Sequence, residues 1–311
     1  MSVRLLTPSL QITLQGAPRT GLRHMGVPSS GPADPLSMAL ANRLVSNASN
    51  ATAMEITYGG VALEFTRRTL FALVGGQVEL DGVDDVPHKT QIAEAGTTLH
   101  IRLLAHGARL YLAVAGGFVA ETLLGSTSTY LPAGFGGHQG RALQPGDEVA
   151  ILPALDDLPI LSTPKNLQLP IGHSFALRAV PSGEYGLLSA NAAARLFEQP
   201  FMADRQLTRM GIPLSGAPLE IDSDGRMKSA PVFPGTIQCP ESGNPIILLS
   251  DAGTTGGYPR IAAIARCDLH LLGQIRPGDQ IRFIRRSQSQ AASDYSAKAA
   301  LLKNWLPDFV L

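Results

Sequence analysis

Residues 23–31 read RHMGVPSSG and residues 208–216 read TRMGIPLSG. Aligned from Met25 and Met210, six of the seven positions up to Gly31 and Gly216 are identical or exchange Val for Ile. A second echo follows. Residues 143–149 are LQPGDEV and residues 275–281 are IRPGDQI, each a Pro-Gly-Asp turn opening onto a strand-like run, VAIL or IRFI. Each half therefore begins with Met-Gly-x-Pro and closes with Pro-Gly-Asp. Gly26 to Gly146 is 120 residues and Gly211 to Gly278 is 67, so a solenoid of fixed period is excluded. Two related, unequally decorated domains are expected, with the twice-written loop as the same element in each.

The composition agrees with that division. A chain of 311 residues is long for one core and comfortable for two. Apolar content of 44% with 16% charged residues is that of a protein that buries much of itself. Lys plus Arg equals Asp plus Glu at 25 each, so no global field draws in nucleic acid or an anionic membrane. The amino-terminal stretch MSVRLLTPSLQITLQG has no sustained apolar core ahead of a cleavage site, and a cytoplasmic protein is expected. Cys239 and Cys267 lack a Cys-x-x-Cys or His partner at ligand spacing and read as ordinary thiols, with no metal site.

Most segments are short, β-branched or Leu-rich and cut by Gly, Pro, Asp or Asn: VALEF, LFALV, TLHIRLL, RLYLAVAG, PIILLS. This predicts sandwich or barrel architecture. Two helices interrupt it. Asp34-Pro35 supplies a cap and a first-turn proline ahead of Leu36, Leu40 and Leu44, and Ser189 heads SANAAARLFEQP, which Pro200 stops. Residues 153–170 carry four prolines and read as a linker. After Arg286 a polar joint and a short tail helix ending before Pro307 are expected. The predicted domains are 1–155 and 166–290, followed by a tail helix over 291–311.

No phosphate-cradling G-x-x-x-x-G-K-[ST], no G-x-S-x-G and no H-E-x-x-H is present. GFGGHQGR at 134–141 reads equally as a glycine-bearing hairpin or a ligand loop. The densest polar cluster that a fold does not require is DAGTTGGYPRIA, 251–262. Asp251, Thr254, Thr255 and Tyr258 set a carboxylate and three hydroxyls beside two glycines that let a ligand approach the backbone. Gln15, Arg19 and Arg209 stand next to turns, and an arginine fork suits a carboxylate or phosphate.

The ordered series TLQ…PR.G, MGVPSSGPADPLSMALANRLVSN, MEITYGG, RLYLAVAGG, GSTST, GGHQGRALQPGD, RMGIPLSG, PGTIQCP, TTGGYPRIA and GQIRPGDQIRF resembles the allophanate hydrolase subunit 2-like proteins, also called the biotin-dependent carboxyltransferase family. The likeness covers roughly residues 10–285. It implies a mainly β fold of tandem cyclophilin-like β-barrel domains with a few short helices. One branch of the family is a subunit of an ATP-dependent 5-oxoprolinase. In that branch a second cyclophilin-like subunit of the B type and a LamB/YcsF-like subunit of the A type share in cleaving the lactam of 5-oxo-L-proline to L-glutamate. The resemblance thus implies ATP with Mg in the assembled complex and a small lactam or amide substrate. A urea carboxylase-like carboxyltransferase and a regulatory antagonist of a kinase inhibitor are the alternatives.

A small carboxylated lactam needs a cation for its carboxylate and hydroxyl or amide donors for its ring carbonyl. The candidate binding residues are Gln15, Arg19, Asp34, Arg141, Arg209, Asp251, Thr254, Thr255 and Tyr258, with no catalytic residue assigned. The sequence departs from the usual family pattern at Gly16, where an Asp is usual, at Pro18, where a Gly is usual, and at Thr127, where an Arg is frequent. These departures open the reading of a paralogue acting on another lactam or amide. Met227-Lys228-Ser229 lacks the second Met of a biotin acceptor hairpin, and about 25 residues after Arg286 leave no room for a carrier domain, so no covalent biotin is expected.

Overall fold

Two units make up the chain, and neither is continuous in sequence. Unit 1 takes the residues up to Arg19, Ser30–Ile171 and Leu302–Val310; unit 2 takes Thr20–Ser29, Gly172–Leu301 and Leu311. The computed structural model describes residues 2–78, 87–155, 157–222 and 227–311.

In unit 1 the elements are β1 (Ser2–Leu5), β2 (Gln11–Gln15), α1 (Pro35–Leu44), β3 (Ala53–Thr57), β4 (Gly59–Phe65), β5 (Thr69–Gln77), β6 (Gln91–Ala93), β7 (Thr98–Leu103), β8 (His106–Val114) and β9 (Glu148–Ala150). They pair antiparallel in two sheets, β7-β4-β1-β9 and β2-β3-β8-β5-β6. Successive side chains of a strand point to opposite faces, and the register of β3 on β8, Met54 opposite Leu112 and Ile56 opposite Leu110, aligns their apolar faces. Ile12, Leu14, Met54, Ile56, Leu110 and Leu112 from the larger sheet share one core with Val3, Leu5, Leu63, Phe65, Leu99 and Ile101 from the smaller.

The other face of the five-stranded sheet is covered by α1, which packs on β5 and β8. Asp34 caps this helix as the sequence predicts, accepting from Ser37 N at 3.0 Å with Pro35 in the first turn. Leu36, Leu40 and Leu44 are fully buried, each contributing roughly 1.5–3 kcal/mol relative to exposure. Beneath the helix start, Glu55 accepts from Tyr111 Oη at 2.7 Å and from Ala33 N at 2.8 Å, and Asp34 N donates to Tyr111 Oη at 2.8 Å. This buried network fixes the loop that enters α1.

Unit 2 contains β10 (Ser174–Pro181), α2 (Ala190–Glu198), β11 (Phe201–Ala203), β12 (Gly211–Ser215), β13 (Ala230–Pro231), β14 (Thr236–Gln238), β15 (Ile246–Leu248), β16 (Thr255–Gly256), β17 (Arg260–Ile264) and β18 (Gln280–Arg285), and α3 (Gln288–Lys303) begins in it. The barrel runs β10-β17-β14-β15-β12-β11-β18 and closes by a parallel pairing of β18 on β10, from Ser174 opposite Gln280 to Ala179 opposite Arg285. Phe175, Leu177, Phe201, Ile212, Ile237, Ile247, Ile261 and Phe283 are buried within it. Ser189 caps α2 as expected, accepting from Ala192 N at 3.2 Å.

The mainly β class with a few short helices holds, and unit 2 is a closed barrel. Among the described residues, unit 1 carries nine strands in two sheets. Among the described residues, no helix is long and apolar enough to cross a membrane.

The two echoes fare differently. Both Pro-Gly-Asp turns lead into strands, β9 at the edge of the four-stranded sheet and β18 at the seam of the barrel, and the turns share their hydrogen bonds. Gly146 and Gly278 adopt φ of +94° and +86°. Asp147 Oδ2 accepts from Gln144 N at 2.7 Å, as Asp279 Oδ2 does from Arg276 N at 2.8 Å. The Gly146 and Gly278 amides donate to Leu5 O and Ala203 O, both at 2.8 Å.

The Met-Gly-x-Pro loops are not one element, which corrects the expectation. Residues Arg23–Met25 form a 3-10 turn followed by left-handed Gly26 (φ +79°) and irregular chain to Gly31, whereas Gly211–Ser215 is strand β12. The cause is one residue. Leu214 continues the alternation begun by Ile212 into the barrel core, while Ser29 at the matching place gives no apolar period.

Two further expectations change. The 153–170 linker is partly packed: Thr90 N donates to Leu161 O at 2.9 Å, Thr163 N to His88 O at 2.9 Å, and Leu167 is buried. The expected polar joint after Arg286 is helical, because Ser287 Oγ accepts from Gln290 N at 3.2 Å and α3 starts at once.

Candidate functional site

The segment 251–258 folds back along the barrel of unit 2 and forms one wall of a cleft of about 440 Å³. Val232, Ile246, Leu248 and Ala252 are among its apolar walls; Gln206, Thr208, Gln238, Thr255 and Tyr258 supply its polar side chains. Every side chain lining it is uncharged. Short strand β16 pairs with β13, Pro231 opposite Thr255, and Thr254 O accepts from Val232 N at 3.1 Å. Gln238 Nε2 donates to Tyr258 O at 3.2 Å, and a Cβ on Gly256 would lie 2.5 Å from that nitrogen, so a larger residue there would displace the Gln238 amide. Tyr258 remains 44% exposed at the cleft. Apolar walls with a few placed polar groups are the general make-up of a small-molecule cleft.

Asp251 and Arg209 lie beside this cleft and answer one another. Arg209 Nε donates to Asp251 Oδ2 at 2.8 Å and Nη2 to Asp251 Oδ1 at 3.2 Å, with Ser250 Oγ also 3.2 Å from Nη2. Both residues are buried. The fork that the sequence assigns to a ligand is thus closed on an internal carboxylate.

The other four candidates belong to unit 1. Gln15 and Arg19 are brought together by the stretch Ser126–Thr129. Ser126 Oγ donates to Ala17 O at 2.5 Å, Ser128 Oγ accepts from Gly16 N at 3.0 Å, and Thr129 Oγ1 donates to Leu14 O at 2.9 Å. Arg19 is buried, donating to Leu123 O at 3.2 Å and Ser128 O at 2.6 Å, with its guanidinium 4.7 Å from the Phe135 ring centre. Gln15 Nε2 donates to Thr13 Oγ1 at 3.0 Å and Thr129 O at 3.4 Å, while its Oε1 is buried without a hydrogen-bond partner. GFGGHQGR closes over this clamp. A Cβ on Gly136 would lie 2.4 Å from Ser128 O and 2.6 Å from Arg19 Nη2. Asp34 caps α1, and Arg141 pairs with Asp147 at 2.6 and 2.9 Å on the Pro-Gly-Asp turn. That pairing holds the Asp147 carboxyl down at about 2.

Two features are not visible from sequence. Gly16 and Thr127, which depart separately from the family pattern, adjoin in space: a Cβ on Gly16 would sit 2.2 Å from Thr127 Oγ1. Arg23 is the second, and its one sequence signal is that, like Arg209, it stands just ahead of a Met-Gly-x-Pro. It donates from Nη2 to Val232 O and to Gly253 O, the latter at 3.3 Å, and lies 5.1 Å from the Phe233 ring centre. Val232 and Gly253 both line the cleft.

Comparison with known proteins completes the assignment. The chain is 36% identical over 296 residues to the C-type subunit of 5-oxoprolinase from Escherichia coli, covering 93% of each, and 34% identical over 293 residues to the same-named protein of Haemophilus influenzae, again 93% of each. The crystal structure of Kluyveromyces lactis urea carboxylase superposes with a TM-score of 0.90 at 27% identity, covering 98% of this chain but only 29% of that one. The family model for the carboxyltransferase domain, subdomain A and B, matches residues 25–285, and the chain belongs to that family.

Proposed function

We propose that this chain is the C-type subunit of an ATP-dependent 5-oxoprolinase, acting with partner subunits to open the lactam of 5-oxo-L-proline to L-glutamate. The observation that carries this reading is the end-to-end match to the C-type subunit of Escherichia coli, 93% of both chains. The uncharged cleft of unit 2, with hydroxyls and a glutamine amide at its edge, supports a small amide as the ligand. Thr255 and Tyr258 are its direct polar contacts, and the Asp251–Arg209 pair and Thr254 position the segment that carries them. Gln15, Arg19, Asp34 and Arg141 hold the backbone of unit 1 in place.

In this reading the assembled complex uses ATP with Mg, and the chain works in the cytoplasm with a cyclophilin-like subunit of the B type and a LamB/YcsF-like subunit of the A type. Co-expression with these subunits tests the assignment: a stable complex that turns over 5-oxoproline only with ATP supports it, and a complex inactive on every lactam tried leaves a regulatory binding role instead.

The likeness to urea carboxylase favours a second reading, a carboxyltransferase served by carboxybiotin in trans. Turnover that needs bicarbonate and is blocked by avidin supports that reading over the first. We further propose that the chain itself bears no biotin, which a streptavidin blot of the native protein checks.

A further inference from the structure

We propose that Gln238 selects the ligand of the unit 2 cleft by its N–H: the side-chain oxygen Oε1 accepts from it, so the cleft takes a ring amide and rejects the corresponding ring ester. This rests on the reading of the cleft as the lactam site and names the residue that recognises the amide nitrogen.

The placement follows from strand register. β12 pairs with β15, Pro213 opposite Ile246 and Gly211 opposite Leu248, and β15 pairs with β14, Ile246 opposite Gln238. Ile212, Ile237 and Ile247 alternate with these residues and are fully buried inside the barrel. The intervening positions therefore face outward, where Gly211, Pro213, Ile246, Leu248 and Gln238 all line the cleft. Gln238 is the one polar side chain that those three strands bring to it among the described residues. It stands at an irregularity: β14 on β17 runs Ile237 opposite Ala262 and then Gln238 opposite Arg260, passing over Ile261. A bulge of this kind re-aims the side chain beside it.

The amide has a fixed orientation. Tyr258 O can only accept, so the NH2 end of Gln238 faces it, at 3.2 Å, and Oε1 is the other end. Oε1 has no hydrogen-bond partner among the described residues, although Gln238 is only 5% exposed. An acceptor so nearly enclosed loses most of its water and gains from a ligand donor. Gly256 keeps the space beside it open: a Cβ there would lie 2.5 Å from Nε2 and 3.3 Å from Oε1. The other polar side chains of the cleft do not make the same distinction. Thr208, Thr255 and Tyr258 carry hydroxyls that turn to donate or to accept, and Gln206 is exposed, with either end of its amide able to turn inward. Oε1 of Gln238 only accepts, so a ring N–H satisfies it, whereas a ring oxygen meets it with a second lone pair.

The test compares 5-oxo-L-proline with (S)-5-oxotetrahydrofuran-2-carboxylate, the lactone in which a ring oxygen replaces the N–H. Dissociation constants come from ligand-observed NMR on the full chain, alone and in the complex with its partner subunits. The wild type is expected to bind the lactam at least about tenfold more tightly than the lactone. Gln238→Met, of similar length and without the acceptor, should weaken the lactam about tenfold and change the lactone less than about twofold. Gly256→Ala, which drives a methyl group against the amide while Gln238 stays in place, should lower the same preference. If either variant loses its fold, the wild-type comparison decides alone: equal affinity for lactam and lactone overturns the proposal, as does binding of neither in either state. Equal weakening of both ligands in Gln238→Met at the wild-type melting temperature overturns it too. Turnover of 5-oxoproline that depends on this chain but keeps its KM in Gln238→Met would sink this inference and leave the subunit assignment standing. A Gln238-dependent preference for the lactam in a complex that opens no lactam would do the reverse.

Discussion

Gly16 and Thr127 share one space: the Cβ that any other residue would place at 16 falls 2.2 Å from Thr127 Oγ1, which itself lies 2.7 Å from Thr52 Oγ1. Gly16→Ala should therefore destabilise unit 1 by roughly 1–3 kcal/mol through overpacking. Thr127→Ala removes the oxygen in conflict, so in the double variant the loss should shrink by about 1 kcal/mol or more. Urea unfolding of the two single variants and the double checks this. Strictly additive losses would show that the two sites do not meet.

Arg209 and Asp251 form a buried ion pair, and removing one partner strands the other. Arg209→Ala or Asp251→Asn should cost roughly 3–5 kcal/mol, whereas the apolar pair Arg209→Met with Asp251→Leu should recover much of it. Denaturation midpoints decide the matter. Wild-type stability in Arg209→Ala together with a raised KM would return Arg209 to the ligand-holding role read from the sequence.

Arg141 holds the Asp147 carboxyl at about 2, below its ordinary 3.8. A carboxyl depressed by folding contributes stability that is complete above its unfolded value and is lost as pH falls from about 4 toward 2. Arg141→Ala should raise the Asp147 titration toward 3.8, read by carboxyl carbon NMR. An unmoved titration would mean that the Gln144 amide and His138 set it without the arginine.

Burial pushes His88 down from 6.5 to about 4, so it is held neutral. The unfolded chain binds this proton more readily, and stability should fall as pH drops from about 6.5 to 4, by at most about 3 kcal/mol. His88 lies at φ +65°, a backbone that Asn tolerates. Melting temperatures of the wild type and His88→Asn at pH 7 and 4.5 should diverge at the lower pH, with the variant less sensitive. Parallel losses would place the acid sensitivity elsewhere.

Much of the fold was legible because its signals are local. The Asp34 and Ser189 caps, the Pro-Gly-Asp turns and the short β-branched runs each determine their own backbone. The paired Met-Gly-x-Pro loops misled because Ser29 against Leu214, a single position, decides between an irregular loop and a strand that fills a barrel. In the site, Thr255 and Tyr258 were legible as hydroxyls beside glycines. That Arg209 would close on Asp251, 42 residues away in sequence, and that Arg23 would reach Val232 across 209 were not, since nothing in the chain near either arginine encodes its partner.

The most direct measurement of the central claim is glutamate formed from 5-oxo-L-proline by the purified partner subunits with ATP and Mg, with and without this chain. The account predicts ATP-dependent glutamate only when the chain is present, insensitive to avidin. Equal glutamate in its absence, or none with all subunits assembled, would contradict it.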